Sequence, residues 1–225
     1  MSDSDSFIDE VNEEVRRDRF YFMLKRYGWL AAFFVVLIVG GAAFNEYRKA
    51  QVSAEAEALG DAVLEAMAQD TAADRQIELS EIRGGSPGAR AVVDLLIAAE
   101  AQAAGATEQA IATLENIAVN GDVPEIYRQV AVFKSLALQA DTMDDATRRQ
   151  QLEALAQPGQ AMSLLAQEQL ALMDISEGNT DAALDRLQAV IADANVTSDL
   201  QQRALQVIVA LGGTPDMANL SNIGN

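Results

Sequence analysis

Eighteen consecutive uncharged residues, Tyr27 to Phe44 (YGWLAAFFVVLIVGGAAF), constrain this chain more than any other feature. At a helical rise of 1.5 Å per residue they extend roughly 27 Å, close to the hydrocarbon core of a bilayer at about 30 Å. Tyr27 and Trp29 stand at one end, where amphipathic rings favour the lipid–water interface. Phe33, Phe34, Leu37 and Phe44 supply apolar bulk, and Lys25, Arg26, Arg48 and Lys49 flank the stretch where long side chains can snorkel. The expectation is one transmembrane helix over residues 27–44. A buried helix in a soluble core rarely runs this far without a charge. A cleaved signal peptide is the other alternative, since Gly41-Ala42-Ala43 offers small residues for cleavage. The apolar stretch exceeds the usual signal-peptide length of about 7–15 residues, and a long segment precedes it. An uncleaved signal-anchor is expected.

Basic residues set the orientation. Arg16, Arg17, Arg19, Lys25 and Arg26 precede the stretch, whereas Arg48 and Lys49 follow it, and carboxylates count little in this rule. The N-terminus is expected in the cytoplasm and the rest of the chain across the membrane. In the leading segment, residues 1–26, Phe7, Val11, Val15 and Phe22 fall at spacings near 4 and 7. That spacing predicts a short amphipathic helix entering the membrane, with a docking role on a cytoplasmic partner as a further reading.

Past residue 45 the chain carries 11 basic and 27 acidic side chains, a net of −16 out of −18 for the whole. Such a domain is repelled by nucleic acid and anionic head groups and favours basic or apolar protein partners. The sequence contains neither Cys nor His. Disulfides, thiolate nucleophiles, ordinary zinc sites and every Ser-His or Cys-His arrangement are thereby excluded. No cofactor or metal is expected.

Ala, Leu, Gln and Glu dominate this region, so it reads as all-α. Breakers divide it. Helices are expected over about 46–69 and 72–83, from Pro87 to a stop at Gly105, from a cap at Thr107 to Asn120-Gly121, from Pro124 through Ala137, over about 144–156 and 160–177, through Ala183 to Ala194, and over about 198–211. Ser86-Pro87 gives an N-cap with Pro at the first helical position, and Gly84-Gly85, Gly105, Asn120-Gly121, Gly178 and Gly212-Gly213 supply stops. The inward stripes are read as Val92, Leu95, Leu96, Ala99 and Ala103 in one helix and Ile126, Val130, Phe133 and Ala137 in another. A flexible tail is expected over 214–225.

The pattern repeats. Gly105-Ala106-Thr107-Glu108-Gln109-Ala110-Ile111 with Leu114 corresponds to Gly178-Asn179-Thr180-Asp181-Ala182-Ala183-Leu184 with Leu187. The 73-residue offset is about twice the tetratricopeptide period of about 34 residues, and restarts at Pro87, Pro124 and Pro158 agree with that period. Ala110 and Ala183 are small residues that let paired helices approach. Each pair leaves apolar surface for the next to bury, which predicts a tetratricopeptide-like α-solenoid over residues 45–213. The middle repeat fits poorly, because Thr147, Arg148 and Gln151 stand where apolar residues are expected. Either its register is shifted or the hairpin is degenerate.

Catalytic signatures are missing. Asp144-Asp145 could serve acid–base chemistry as a carboxylate pair, but acidic residues at a helix start complement its dipole. Met162 and Met173 read as core fillers that a groove could also use for peptide contact.

The segment from Glu10 to Gln51, with Glu13-Glu14, Arg16-Arg17, Lys25-Arg26 and then Tyr27-Gly28-Trp29, resembles the start of the YfgM-like family of bacterial inner-membrane proteins. The Gly178–Leu187 hairpin is similar to that family's C-terminal repeat. The resemblance implies an ancillary subunit of the SecYEG translocon in the inner membrane. Its periplasmic tetratricopeptide-like domain would help newly secreted chains reach periplasmic chaperones, including a membrane-anchored prolyl-isomerase-like one. It implies no catalytic residue. The alternatives are a periplasmic organiser of envelope assembly or division and, from the enzyme class, a carboxylate-dependent hydrolase.

Overall fold

The computed structural model describes the backbone of residues 3–216, and side chains at 25, 26, 29, 30 and 33–216. Among the described residues the chain is all-helical. The helices are α1 (Asp3–Met67), α2 (Ala72–Glu81), α3 (Pro87–Ala103), α4 (Thr107–Val119), α5 (Glu125–Leu138), α6 (Asp145–Leu155), α7 (Ser163–Ser176), α8 (Thr180–Ala192) and α9 (Ser198–Ala210). The chain divides into two compact units, Met1–Ala58 and Leu59–Asn225.

In the first unit α1 is uninterrupted, so the expected amphipathic lead-in and apolar stretch form one helix. The cause is negative. Neither Pro nor a helix-ending polar cluster occurs before Asp70, and the glycines at 28, 40 and 41 each cost a helix only about 1 kcal/mol. Among the described residues no helix is long and apolar enough to cross a membrane. The described uncharged run is Phe33 to Phe44, and the side-chain positions of Tyr27, Gly28, Ala31 and Ala32 lie outside the described residues.

In the second unit each helix from α2 onward packs on its neighbour in sequence, and α3 also touches α5. Local chemistry fixes the starts. The Thr71 hydroxyl accepts from the Asp74 N–H (3.1 Å), the Ser86 hydroxyl from Ala89 (3.2 Å), the Asp144 carboxylate from Thr147 (3.0 Å) and the Thr197 hydroxyl from Leu200 (3.4 Å). Each satisfies a donor that a helix start otherwise leaves open. Thr107 is not the cap expected of it; it is the first helical residue, after Ala106.

The stops repeat. Gly105 and Gly178 both have φ +82, and the residues after them, Ala106 and Asn179, have φ/ψ of −86/57 and −84/56. The Ala106 N–H donates to the Ala101 carbonyl and the Asn179 N–H to that of Asp174, both at 2.8 Å. Both turns are the Schellman arrangement, for which a left-handed glycine is the favoured residue. Gly121 does not share this role: its φ is not positive.

Four apolar clusters fill the unit in chain order. The first joins Ala66, Leu79, Val93 and Ile97; the second centres on Ala101, Ala110, Leu114 and Ala131; the third on Leu136, Leu152 and Leu170; the last on Ala183, Leu187, Leu200 and Ile208. Every helix of the unit thus buries a stripe against its neighbours.

Two inward faces differ from expectation. In α3 the buried residues are Ala91, Val93, Ile97, Ala98 and Ala101, while Val92 is exposed. In α5 they are Ala131, Ser135 and Leu136, while Ile126 and Ala137 are exposed. Both helices are apolar around more than one face, so periodicity alone could not choose between them.

The middle repeat is shifted. Helices α4, α6 and α8 start at Thr107, Asp145 and Thr180, spacings of 38 and 35 residues. Six residues separate α5 from α6, against three in the α3–α4 and α7–α8 turns. In this register Leu152 and Leu155 take the buried places of Leu114 and Ile117, and Arg148 takes that of Ala110.

Candidate functional site

The most exposed apolar surface lies on α1. Trp29 is 67% exposed, Phe33 54%, Phe34 56%, Leu37 54% and Phe44 64%. Val35, Val36, Ile38 and Val39 are equally open, and four successive residues at 100° steps cover every side of a helix. Phe33 and Phe34 meet edge to face with ring centroids 6.2 Å apart. None of the apolar clusters among the described residues includes a residue before Leu59. Lys25 and Arg26 are exposed. The side chains of Tyr27, Arg16, Arg17 and Arg19 lie outside the described residues.

The residues singled out for repeat packing occupy equivalent places. Ala110 and Ala183 are fully buried at the fourth position of α4 and α8, and Leu114 and Leu187 follow one turn later, also buried. Ala110 shares an apolar cluster with Ala98, Ala101 and Ala131, and Ala183 shares one with Ala171 and Ala204. Gly105 and Gly178 close the turns that bring the paired helices together.

Asp144 and Asp145 have a structural explanation. The Asp144 carboxylate accepts from both the Thr147 N–H and the Thr147 hydroxyl, and Asp145 opens α6, where a negative charge complements the dipole. Met173 is buried in the third apolar cluster, and Met162 stands at the start of α7 beside a cavity of about 540 Å³. Among the described residues no group of acidic side chains is placed to hold a metal ion.

Sequence reasoning missed a set of buried carboxylates. Asp174, 4% exposed, accepts from Arg149 of α6 (2.8 Å) and Arg186 of α8 (2.8 Å). Arg149 also donates to Glu177 (2.8 Å), and Arg186 to Gln167 (2.9 Å). Glu168, also buried, takes two parallel bonds from Arg203 of α9, both 2.9 Å. At the other end, Glu100 of α3 accepts from Arg75 of α2 at 2.8 Å. Glu177, and then Asp174, hold the Arg149 guanidinium above its ordinary pKa against the opposing effect of burial. The bidentate Glu168 contact does the same for Arg203.

Hydrogen bonds between ionised partners are the strong class, and the Glu168–Arg203 contact is in addition bidentate. Here they tie α6, α8 and α9 to α7. Asp174 lies 73 residues after Ala101, at the equivalent place in its helix, so the last repeat replaces a small apolar contact with a charged one. The partners are 12–35 residues apart, beyond the reach of any local spacing rule.

Among the described residues the arrangement offers two surfaces. One is the apolar belt of α1, and the other is a stack of helices stapled by arginine. Compared with protein-family models, curated proteins and solved structures, the chain matches none of them.

Proposed function

We propose that this protein is a membrane-anchored, non-enzymatic scaffold whose tetratricopeptide-like helical array binds other proteins. The observation that carries the reading is the belt of α1, apolar and open on every side from Phe33 to Phe44. A helix apolar all round must be covered, and a bilayer covers all sides at once. Together with Trp29 and the residues that complete 27–44, the belt has the length of a single span. The basic residues before it favour a cytoplasmic N-terminus, which in a bacterial inner membrane puts the array in the periplasm.

Support for a binding rather than catalytic role is chemical. The chain lacks Cys and His, and Asp144 is engaged in capping α6. Recurrence of one turn geometry at Gly105 and Gly178 supports the tetratricopeptide-like reading. The resemblance of residues 10–51 to YfgM-like proteins names the partners: translocon subunits, a membrane-anchored chaperone and emerging secreted chains. Tethering beside the exit site raises effective concentration, so weak contacts suffice.

The test is photocrosslinking from probes along α1 and the array in intact cells, with alkaline extraction and protease accessibility in spheroplasts. Translocon and chaperone crosslinks, with the array cleaved from outside, are expected. Crosslinks confined to cell-wall or outer-membrane assembly proteins would turn the reading to an envelope organiser. Release by alkali would end the membrane-anchored reading.

A further inference from the structure

The Asn120-Gly121 step reads in sequence as a helix stop, yet the structure gives its glycine no such duty. Gly121 lacks a positive φ, and a Cβ added to it would meet nothing within 4 Å. Neither backbone conformation nor close approach requires the missing side chain. What the glycine does provide is an unshielded amide nitrogen directly after an asparagine. Asn120, Gly121 and Asp122 are all exposed, in the turn between α4 and α5.

The bonds of this turn leave the reacting groups open. The Asn120 N–H donates to the Ile117 carbonyl (3.3 Å), the Val123 N–H to the Asn120 carbonyl (3.1 Å) and the Asp122 N–H to Asn120 Oδ1 (3.0 Å). Among the described residues the Gly121 N–H and Asn120 Nδ2 make no hydrogen bond. The bond to Oδ1 draws electron density from the side-chain carbonyl and makes Cγ a better electrophile. Bringing the Gly121 nitrogen onto Cγ turns ψ of Asn120 away from 106° and releases one backbone bond, that from Val123. Glycine offers the least steric resistance to that rotation.

The other described asparagines lack this combination. Asn12, Asn45 and Asn116 lie inside α1 and α4, where the helix ladder holds the following N–H. Asn179 and Asn195 precede Thr180 and Val196, whose β-branched side chains crowd the nitrogen. Their amides are also held, by Glu177 (3.1 Å) and Asp193 (3.2 Å).

We infer that Asn120 is a site of spontaneous succinimide formation and deamidation, so that the α4–α5 turn changes covalently as the protein ages. The Gly121 N–H gives its proton to hydroxide and the nitrogen bonds Asn120 Cγ. The Cγ–Nδ2 bond breaks, and the amide group leaves as ammonia after taking a proton from water. Water then opens the ring. Cleavage of the new N–Cγ bond gives aspartate, and cleavage of the nitrogen's original bond to the Asn120 carbonyl carbon gives isoaspartate. One water is consumed and one ammonia released, with no oxidant or reductant. Both products add a negative charge beside Asp122. Isoaspartate also lengthens the backbone between Ile117 and Val123, which are buried in one apolar cluster.

The test ages the full chain in detergent at pH 7 and pH 9 in water enriched in heavy oxygen. Peptide mass spectrometry then locates the label, and isoaspartyl methyltransferase measures the rearranged product. Heavy oxygen is expected at residue 120 in both products, faster at pH 9, before any appears at Asn195. Gly121→Ala, with unchanged circular dichroism, is expected to slow labelling about tenfold, equivalent to about 1.4 kcal/mol of barrier. Comparing Asn120 with Asn195 inside one unaltered chain keeps the test independent of how that variant folds. Labelling at Asn120 no faster than at Asn195 would overturn the inference, as would an equal rate in folded Gly121→Ala. Aspartate without isoaspartate would mean direct hydrolysis and would remove the glycine nitrogen from the reaction.

Discussion

Arg148 stands in α6 where Ala183 stands in α8. Each is the fourth residue of its helix, and each precedes by one turn a fully buried leucine, Leu152 or Leu187. In α8 the alanine lets α7 approach closely. In α6 a guanidinium occupies that position, its Nε buried without a hydrogen-bond partner among the described residues and its terminal nitrogen only 3.5 Å from the Gln169 amide oxygen. The longer α5–α6 turn accompanies this wider side chain.

A buried donor without an acceptor costs about 1–3 kcal/mol, and the Nε of Arg148 is one. Arg148→Ala is therefore expected to stabilise the array by about 1 kcal/mol in denaturant unfolding of the detergent-solubilised protein. Ala183→Arg should do the reverse, costing about 1–3 kcal/mol by overpacking a site with no exposure. A destabilised Arg148→Ala protein would show that the guanidinium is a structural contact and not an intruder.

Glycines that look alike in sequence should separate by backbone conformation. Gly105 and Gly178 have φ +82 and open space where a Cβ would go, so Ala at either costs about 1 kcal/mol from conformation alone. Gly121 has neither a positive φ nor a neighbour within 4 Å, and Ala there should be neutral or stabilise by about 0.5 kcal/mol. Thermal melts of the three variants distinguish these cases. Equal losses at all three positions would contradict the assignment.

The buried carboxylate of Asp174 should matter far more than the exposed one of Glu177, although Arg149 bonds both. Removing the buried partner of two arginines is expected to cost about 3 kcal/mol, and Glu177→Ala less than about 1 kcal/mol. Arginines held above their ordinary pKa contribute stability that is complete throughout the neutral range. It is lost only as pH rises through their folded value, in strong alkali. Raising the pH from 7 to 9 should therefore leave the contributions of Arg149 and Arg203 intact. A double-mutant cycle of Arg149→Ala with Asp174→Ala, run at both values, measures this.

Helix boundaries were legible because Gly, Pro and capping hydroxyls punctuate the chain. Ser86-Pro87, Gly105 and Gly178 all act where their chemistry indicates. The repeat was legible for the same reason, since its two matching turns share one glycine geometry. What stayed hidden depends on tertiary context. The inward faces of α3 and α5 could not be chosen because both helices are apolar on two sides. The Asp174 and Glu168 contacts join residues too distant in sequence for any periodicity to pair them. The continuity of α1 was legible too: an amphipathic lead-in running into the apolar stretch, with the helix from about residue 46 continuing it, is what the single helix Asp3–Met67 shows.

The apolar belt gives the sharpest test of the anchor. Leu37 lies at its centre and is 54% exposed, so nothing in the described structure protects a charge placed there. An arginine at the middle of a spanning helix costs about 2.5–3.5 kcal/mol of insertion, enough to shift a single marginal segment out of the bilayer. Leu37→Arg is therefore expected to move much of the protein into the alkali-extractable fraction, whereas Val52→Arg, beyond the belt, should leave it in the membrane pellet. The array should fold in both variants, since neither residue belongs to its apolar clusters. Identical fractionation of the two would mean that the belt is covered by protein and not by lipid, because a protein surface can accommodate one charge at its edge while a hydrocarbon core cannot.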